Sequence, residues 1–544
     1  MKIGFDFGMT NSTISFINKS GVLENFRLID SGDEYIPTVV SYNIKGDVFI
    51  GDTAKSYIVD SRYDTYERFK LLLGSKFDIP VPGKDKSSSQ AAQDFIKNLF
   101  KGFRKKESIE GASGQITGIV MTIPAIWALQ TSNLTAKENI VSIFNAINYG
   151  SNLKLVSEPS AAAAFFCHSF KERYSHEYKG FITVIDFGGG TLDITLCEAT
   201  GTNAINELKT FGDDDVKPNG QAGVAFDNAV VDKLLVDNGF SQLPIDNEEF
   251  IELRDKFEKT KIAQSEEIAK QLEIYYSDEV YGPAALEDEF LFELRYSGKK
   301  LPVRCKDLVE CFNEVNRTHL LSALEEAQEY FNAYDGIDFS SQTNFRVLLV
   351  GGFSNFYSVE HEVRKFFSGI SAIDDDKFEN LFPPMNRSFA ISRGAALIAR
   401  DMRVPVQTCP YEIGYVIYGT RYNGEEDVLV PEYISVIRMG TKLTELAPIE
   451  WSKRGSVTID HTEAYFRIYF NDGRPNDKGR KVFKLNETVK SHFPNTEERG
   501  NTYRIGVAMK NAIPFLCIED KNGTMVETSL FKLYEKLSIR EKGE

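Results

Sequence analysis

Through the first 400 residues, short apolar runs rich in β-branched side chains alternate with longer stretches whose apolar positions recur at helical spacing. That alternation predicts α/β layers rather than a helical bundle or a sandwich. Near Arg403 the pattern breaks, because Pro405 and Pro410 interrupt any helix, and a linker is expected over 403–410. Beyond it the apolar positions alternate in short aromatic-rich runs: Tyr411 to Tyr418, Val428 to Arg438, Ala464 to Phe470, Thr502 to Met509 and Phe515 to Glu519. Asn522-Gly523 supplies a hairpin turn before Met525 to Thr528. The expected organisation is an α/β domain over 1–402, a linker over 403–410 and an antiparallel β domain over 411–544. The charged end, Lys532 to Glu544, reads as a short helix or a frayed tail.

Two of the predicted strands carry the same device. Ile3-Gly4-Phe5-Asp6-Phe7-Gly8-Met9-Thr10-Asn11 and Ile185-Asp186-Phe187-Gly188-Gly189-Gly190-Thr191-Leu192-Asp193 each join an aspartate-bearing apolar strand to a glycine turn and a second strand-like run. A carboxylate beside closely approaching backbone amides suits phosphate and Mg²⁺: the amides and hydroxyls meet phosphate oxygens, and the aspartate holds the cation directly or through water. Taken singly, each copy is equally a glycine hairpin with a solvated aspartate. Two copies imply two similar α/β lobes with a ligand cleft between them.

Composition narrows the class. A chain of 544 residues exceeds a single core and suits two to four domains. The net charge of -16 argues against nucleic acid or an anionic membrane as the main partner. The basic cluster Lys101, Arg104, Lys105 and Lys106 reads as a solvated helix face. Six scattered cysteines without a CxxC pair predict reduced, mostly buried thiols, and six histidines form no metal-ligand spacing. The start of the chain lacks the apolar stretch of a signal peptide, and no run approaches a membrane span, so a cytoplasmic protein is expected.

Further candidates accompany the duplicated device. Val156-Ser157-Glu158-Pro159-Ser160 runs from a strand into an alanine-rich helix, which places Glu158 at the strand–helix junction, where an acid can order water; equally, it is a helix-start glutamate. Val347 to Val350 runs into Gly351-Gly352, a turn without side chains against which a base or ribose can lie, or one serving only tight packing. Glu258, Lys261, Ile262 and Ser265 fall on one face of a helix expected over Phe257 to Ala269, available to ribose hydroxyls or simply solvated.

In their order along the chain these segments resemble the 70-kDa heat-shock chaperone family, within the actin, sugar-kinase and heat-shock ATPase superfamily. The matching motifs are Asp6 to Asn11, Glu158 to Ala164, Asp186 to Asp193, Gly351-Gly352 and Arg393-Gly394-Ala395-Ala396; Met121 to Ala125 and Ala225 to Asn228 also look like family segments. The resemblance implies a duplicated ribonuclease-H-like, two-lobed ATPase domain followed by a smaller antiparallel β domain. It implies ATP or ADP with Mg²⁺ as cofactors, slow hydrolysis, and unfolded or extended polypeptide clients or a specific protein partner, with co-chaperones but neither nucleic acid nor membrane. By the same resemblance, Lys70 would neutralise charge on the transferring phosphoryl group. Asp6 and Asp186 would position Mg²⁺, Glu158 and Asp193 would support water or metal, and Thr191 would meet the γ-phosphate. Gly8, Met9, Thr10, Asn11, Gly188, Gly189, Gly190, Gly223, Glu258, Lys261, Ser265, Gly351, Gly352 and Phe353 would line the nucleotide.

The departures carry their own expectations. Met9-Thr10 stands where the family has two threonines, and Ile262 and Asn355 replace two arginines that sandwich adenine. At ~0.5–2 kcal/mol per cation-on-ring contact, nucleotide affinity is expected to fall roughly ten- to several-hundredfold. Val404-Pro405-Val406 replaces a strongly apolar linker, so weaker coupling between domains is expected. The faintly similar β domain would bind an extended apolar peptide by main-chain pairing, and without a helical lid it would release it quickly. Alternatives are an ATP-gated regulator or scaffold with negligible turnover, a sugar or carboxylate kinase, and a filament-forming actin relative. A protein kinase is excluded: the two Asp-Phe-Gly triplets lack the accompanying catalytic-loop signature.

Overall fold

A computed structural model describes residues 1–28, 34–74, 85–109, 115–125, 127, 134–212, 222–277, 281–286, 289–333, 345–368, 387–409, 411–422, 427–459, 463–471, 485–492, 501–510 and 513–530. Residues 532–544 and Pro410 therefore lie outside the described set.

Each copy of the repeated motif sits at the centre of its own sheet. In the first, the strands run in the order Leu23–Asn25, Asn11–Ile17, Lys2–Asp6, Gly118–Ile123, Leu153–Ser157. In the second, the order is Phe345–Val350, Lys179–Phe187, Leu192–Thr200, Ala204–Gly212, Val404–Gln407. Both central strands pair antiparallel with the strand that follows their glycine turn and parallel with a strand on the other side. Asp6 is thereby registered with Thr13 and Thr122, and Asp186 with Asp193 and Val350. The duplicated two-lobed α/β plan expected from the sequence is the one the chain adopts.

Two helices, Glu158–Tyr174 and Ala390–Ala399, join the lobes. The first begins where its residues dictate: Ser157 caps it by accepting from the Ser160 amide, and Pro159 occupies the first turn. The second packs closely because it is small-residue rich. A β-carbon on Gly394 would fall 1.7 Å from the Ala161 carbonyl oxygen, and one on Gly4 would fall 2.2 Å from that of Ser392. Alanines from both helices share one buried cluster with Val120 and Val156 of the first lobe and Val184 and Leu348 of the second. Separate aromatic-rich cores fill each lobe's outer side.

The segment expected to be a plain linker contributes an edge strand, Val404–Gln407, parallel to Ala204–Gly212. An edge tolerates Pro405, which cannot donate to the ladder. Arg403 pins its start, donating to Glu177 and to the Cys167 carbonyl.

Beyond Tyr411 two four-stranded antiparallel sheets enclose an aromatic and aliphatic core. The expected runs appear as Glu412–Tyr422, Asp427–Ile437, Glu463–Asn471, Asn501–Lys510, Ile513–Asp520 and Met525–Ser529. The hairpin at Asn522-Gly523 is present, with Gly523 at φ +82 and Asp520 Oδ1 accepting from the Asn522 and Thr524 amides. Two strands were not anticipated, Glu450–Ile459 and Leu485–His492. Both end their sheets. All six cysteines are free and buried. Among the described residues no helix is long and apolar enough to cross a membrane.

Candidate active site

The floor of the cleft between the lobes gathers four of the expected residues from four segments. Asp6 ends the strand Lys2–Asp6, Asp186 lies near the end of Lys179–Phe187, Glu158 opens its helix, and Lys70 belongs to the 3-10 turn Phe69–Gly74. Lys70 is only 5% exposed; its ammonium donates to Glu158 Oε1 at 3.1 Å and lies 5.8 Å from the ring centres of Phe7 and Trp127. Thr122 Oγ1 donates to Asp6 Oδ1 at 3.2 Å. Asp193 faces Asp186 across the strand pair and is also buried.

Three carboxylates here surround one ammonium. Burial raises the pKa of Asp6 to about 7, the negative charge of Glu158 adds to the rise, and Lys70 only partly opposes it. Burial likewise holds Asp186 well above the usual carboxylate range, with Glu158 and Asp6 pushing in the same direction. Such a floor fits a divalent cation, whose charge would return these acids to their ionised form. Among the described residues no three His, Cys, Asp or Glu side chains stand at ligating distance. The acids present fit Mg²⁺, which keeps most of its water and needs only one or two carboxylates.

Above the floor the two glycine turns face each other. The second is closed by Gly188 N–H to Thr191 O at 3.1 Å and tied to the helix Gly223–Asp237 through Gly223 N–H to Gly188 O and Val224 N–H to Gly189 O. The first is tied to Thr38, whose Oγ1 donates to Gly8 O and whose amide donates to Thr10 O. In the Gly8 turn, a β-carbon would fall 2.0 Å from Asn11 O. Gly351, at φ +87, abuts the floor, since its β-carbon would fall 2.4 Å from Asp186 Oδ1.

The upper cleft is open to solvent and walled by charge. Lys55 of the first lobe bridges Glu258 at 2.8 Å and Asp255 at 3.2 Å on the second, and Arg254 reaches back to Glu67 at 3.1 Å. Lys261 pairs with Asp227. Glu258 and Lys261 are thus held by protein partners rather than forming a solvated face. Burial would raise Glu258, yet Lys55, Lys261 and Arg254 together hold it below its ordinary value. Burial raises Asp227 to about 6 despite the opposing Lys261.

Two expectations need correction. The single helix predicted over Phe257 to Ala269 is two, Glu248–Ala263 and Ser265–Ser277, so Ser265 opens a new helix rather than continuing the face of Glu258 and Lys261. The break falls at Gln264, whose amide is shared between Thr260 O and Ile262 O while Thr260 Oγ1 back-bonds to Lys256 O, a bond that bends helices. Phe353 is not a cleft-lining side chain: its ring is 5% exposed, parallel to that of Phe356 and edge-on to Phe187, inside the second lobe's core. Asn355 donates to Ser388 Oγ at 3.0 Å, and Ile262 is 59% exposed. The charged wall of Lys55, Glu67, Arg254 and Asp255 was missed. Its one local signal was the charge spacing 254, 255, 258, 261 along a single helix.

A family model described as Hsp70 protein matches residues 2–98 and 105–400. The chain is similar to the chaperone protein DnaK of Thermosipho melanesiensis, 25% identical over 369 residues that make up 67% of this chain and 55% of that protein. It is 24% identical to DnaK of Thermotoga maritima over 483 residues, 86% of this chain and 70% of that one. Against DnaK of Mycoplasmopsis agalactiae it is 32% identical over 238 residues, 43% of this chain and 35% of the relative. The chain spans about half the length of the Thermosipho relatives it matches.

Proposed function

The chain belongs to the Hsp70 family, and from that premise we propose that it is an ATP-dependent, chaperone-like cytoplasmic protein. In this reading residues 1–402 bind and slowly hydrolyse ATP with Mg²⁺, 403–410 connect the domains, and 411–544 hold an extended polypeptide or a specific protein partner. The observation that carries the ATPase reading is the floor, where Lys70, Glu158, Asp6 and Asp186 converge although they come from four separate segments.

Each floor residue then has a task. Lys70, fixed by Glu158 and shielded by Phe7 and Trp127, presents a positive charge to the transferring phosphoryl group in a dry setting, where charge stabilisation is strongest. Bound Mg²⁺ would neutralise the β- and γ-phosphate oxygens. Asp6 and Asp186 would hold the ion, and Asp6 is kept in place by Thr122. Glu158 and Asp193 orient the attacking water and take up its proton. Thr191 and the amides of both glycine turns hold the phosphate chain, while Glu258, Lys261, Ser265 and the Gly351-Gly352 backbone hold the nucleoside.

Single-turnover cleavage of ATP with Mg²⁺, measured beside equilibrium ATP binding, tests this. Cleavage by wild type that disappears in Lys70→Ala and Asp186→Asn supports the ATPase. Tight ATP binding without wild-type cleavage turns the reading to its alternative, an ATP-gated regulator or scaffold, which Met9 favours by removing a hydroxyl from the phosphate channel.

A further inference from the structure

The tips of the two glycine turns touch, and they touch through Met9. A β-carbon built on Gly190 would fall 1.8 Å from the Met9 methyl carbon and 2.4 Å from its sulfur, so the thioether lies flat on the Gly190 main chain. One residue on, a β-carbon on Gly189 would fall 2.3 Å from Thr10 Oγ1. Side chains of the first turn therefore occupy the space left by glycines of the second.

Both tips are anchored from behind. The first hangs from Thr38 by two hydrogen bonds, and the second is tied to the start of the helix Gly223–Asp237. Each tip is thus held within its own lobe, and the Met9 side chain fills the space between the two. Met9 follows the floor residue Asp6 by three positions and Gly190 follows Asp186 by four, so a phosphoryl group resting on the floor passes between these tips. A thioether there offers no donor to a phosphate oxygen and fills volume the oxygen would need. Its unbranched chain can also swing aside into the solvent-open cleft that Met9 helps to line.

We propose that Met9 is a filter for the terminal phosphate: at rest it closes the gap against Gly190, so the cleft prefers a nucleoside diphosphate, and the triphosphate enters only by displacing the thioether. This rests on the nucleotide reading of the cleft. It makes the diphosphate complex the ground state and charges triphosphate binding with a side-chain rearrangement, as expected when the competent conformer is a minor one.

Calorimetric binding of ADP and of the non-hydrolysable analogue AMPPNP, each with Mg²⁺, separates the claims. Wild type is expected to bind ADP about tenfold or more tightly than AMPPNP, and Met9→Thr to bring the two within about threefold by a gain for AMPPNP alone. Met9→Ala, which removes bulk without supplying a hydroxyl, is expected to recover part of that gain. In wild type labelled at methionine methyls, the Met9 resonance should move with AMPPNP and stay with ADP. Equal affinities in wild type, or a Met9→Thr change shared by both nucleotides, overturns the filter and leaves the nucleotide cleft standing. No binding of either nucleotide to wild type overturns the cleft reading, and the filter with it.

Discussion

The floor and the wall of the cleft are built from the same residue types and balance their charges differently. On the floor, Asp6, Glu158 and Asp186 face Lys70, and burial leaves Asp6 and Asp186 reluctant to ionise. On the wall, Lys55, Arg254 and Lys261 meet Glu67, Asp227, Asp255 and Glu258, and each has a partner across or along the cleft. Glu258 is held ionised by its neighbours in spite of its burial. The floor is incomplete without an incoming cation, whereas the wall completes itself. One region therefore asks for a ligand, and the other fixes how easily the lobes part around it.

Charge removal should break this contrast in opposite directions. Lys70→Ala is expected to lower single-turnover hydrolysis by roughly two to three orders of magnitude, the range for losing one preorganised charge at a transferring group. Asp186→Asn is also expected to lose turnover, yet the ligand-free protein should melt higher, because one of three crowded acids is gone. Glu258→Gln should melt lower, because Lys55 then lacks its nearer partner. A higher melting point for Glu258→Gln than for Asp186→Asn in ligand-free protein would erase the distinction between floor and wall.

Asp227 is the wall's deepest acid and sharpens the comparison through pH. Its folded pKa of about 6 stands above the ordinary 3.8, so the folded chain keeps a proton that the unfolded chain releases. That contribution to stability is complete below pH 3.8 and is lost as pH rises through about 6. Across that window Asp227→Asn, which cannot titrate, should gain on wild type by roughly 2 kcal/mol in urea unfolding at matched pH. A constant difference between the two from pH 4 to 7 would remove Asp227 from the titrating set. A smaller effect belongs to the bridge itself: Lys55→Ala frees Glu258 and Asp255 from the first lobe and should speed nucleotide release by up to about tenfold, read by stopped-flow chase of a fluorescent ADP.

Legibility in the sequence followed the same division. Asp6 and Asp186 stood out in the sequence because their strand–glycine contexts are near-identical and it is the repetition that singles them out, whereas Lys70 was reached only through the family resemblance. The wall was not, because Lys55 lies 203 positions from Glu258 and only the folded lobes bring them together. The two-lobed fold was readable from apolar periodicity, since both central strands are buried along their length. Glu450–Ile459 and Leu485–His492 were not, because edge strands carry charged and polar side chains that erase the alternation. The break at Gln264 has neither glycine nor proline to mark it, and the docking of Val404–Gln407 depends on an edge of Ala204–Gly212 that no local pattern reveals.

The smallest expected effect probes whether the wall leaves room for the base. Ile262 follows Lys261 on the wall helix, is largely exposed, and stands four residues after Glu258. Ile262→Arg would restore one of the two cations that the Hsp70 resemblance places over adenine, worth ~0.5–1 kcal/mol at an exposed site, or about two- to fivefold in affinity. The same arginine would also stand at i+4 from Glu258, an ion pair of ~0.2–0.5 kcal/mol that strengthens the wall without touching a base. The two origins separate on the ligand. A stacking gain appears for ATP and is absent for inorganic triphosphate, whereas a purely electrostatic gain appears for both. Equal improvement for both would show that the wall at Ile262 acts as a charge surface, with the nucleobase held by the Gly351-Gly352 turn alone.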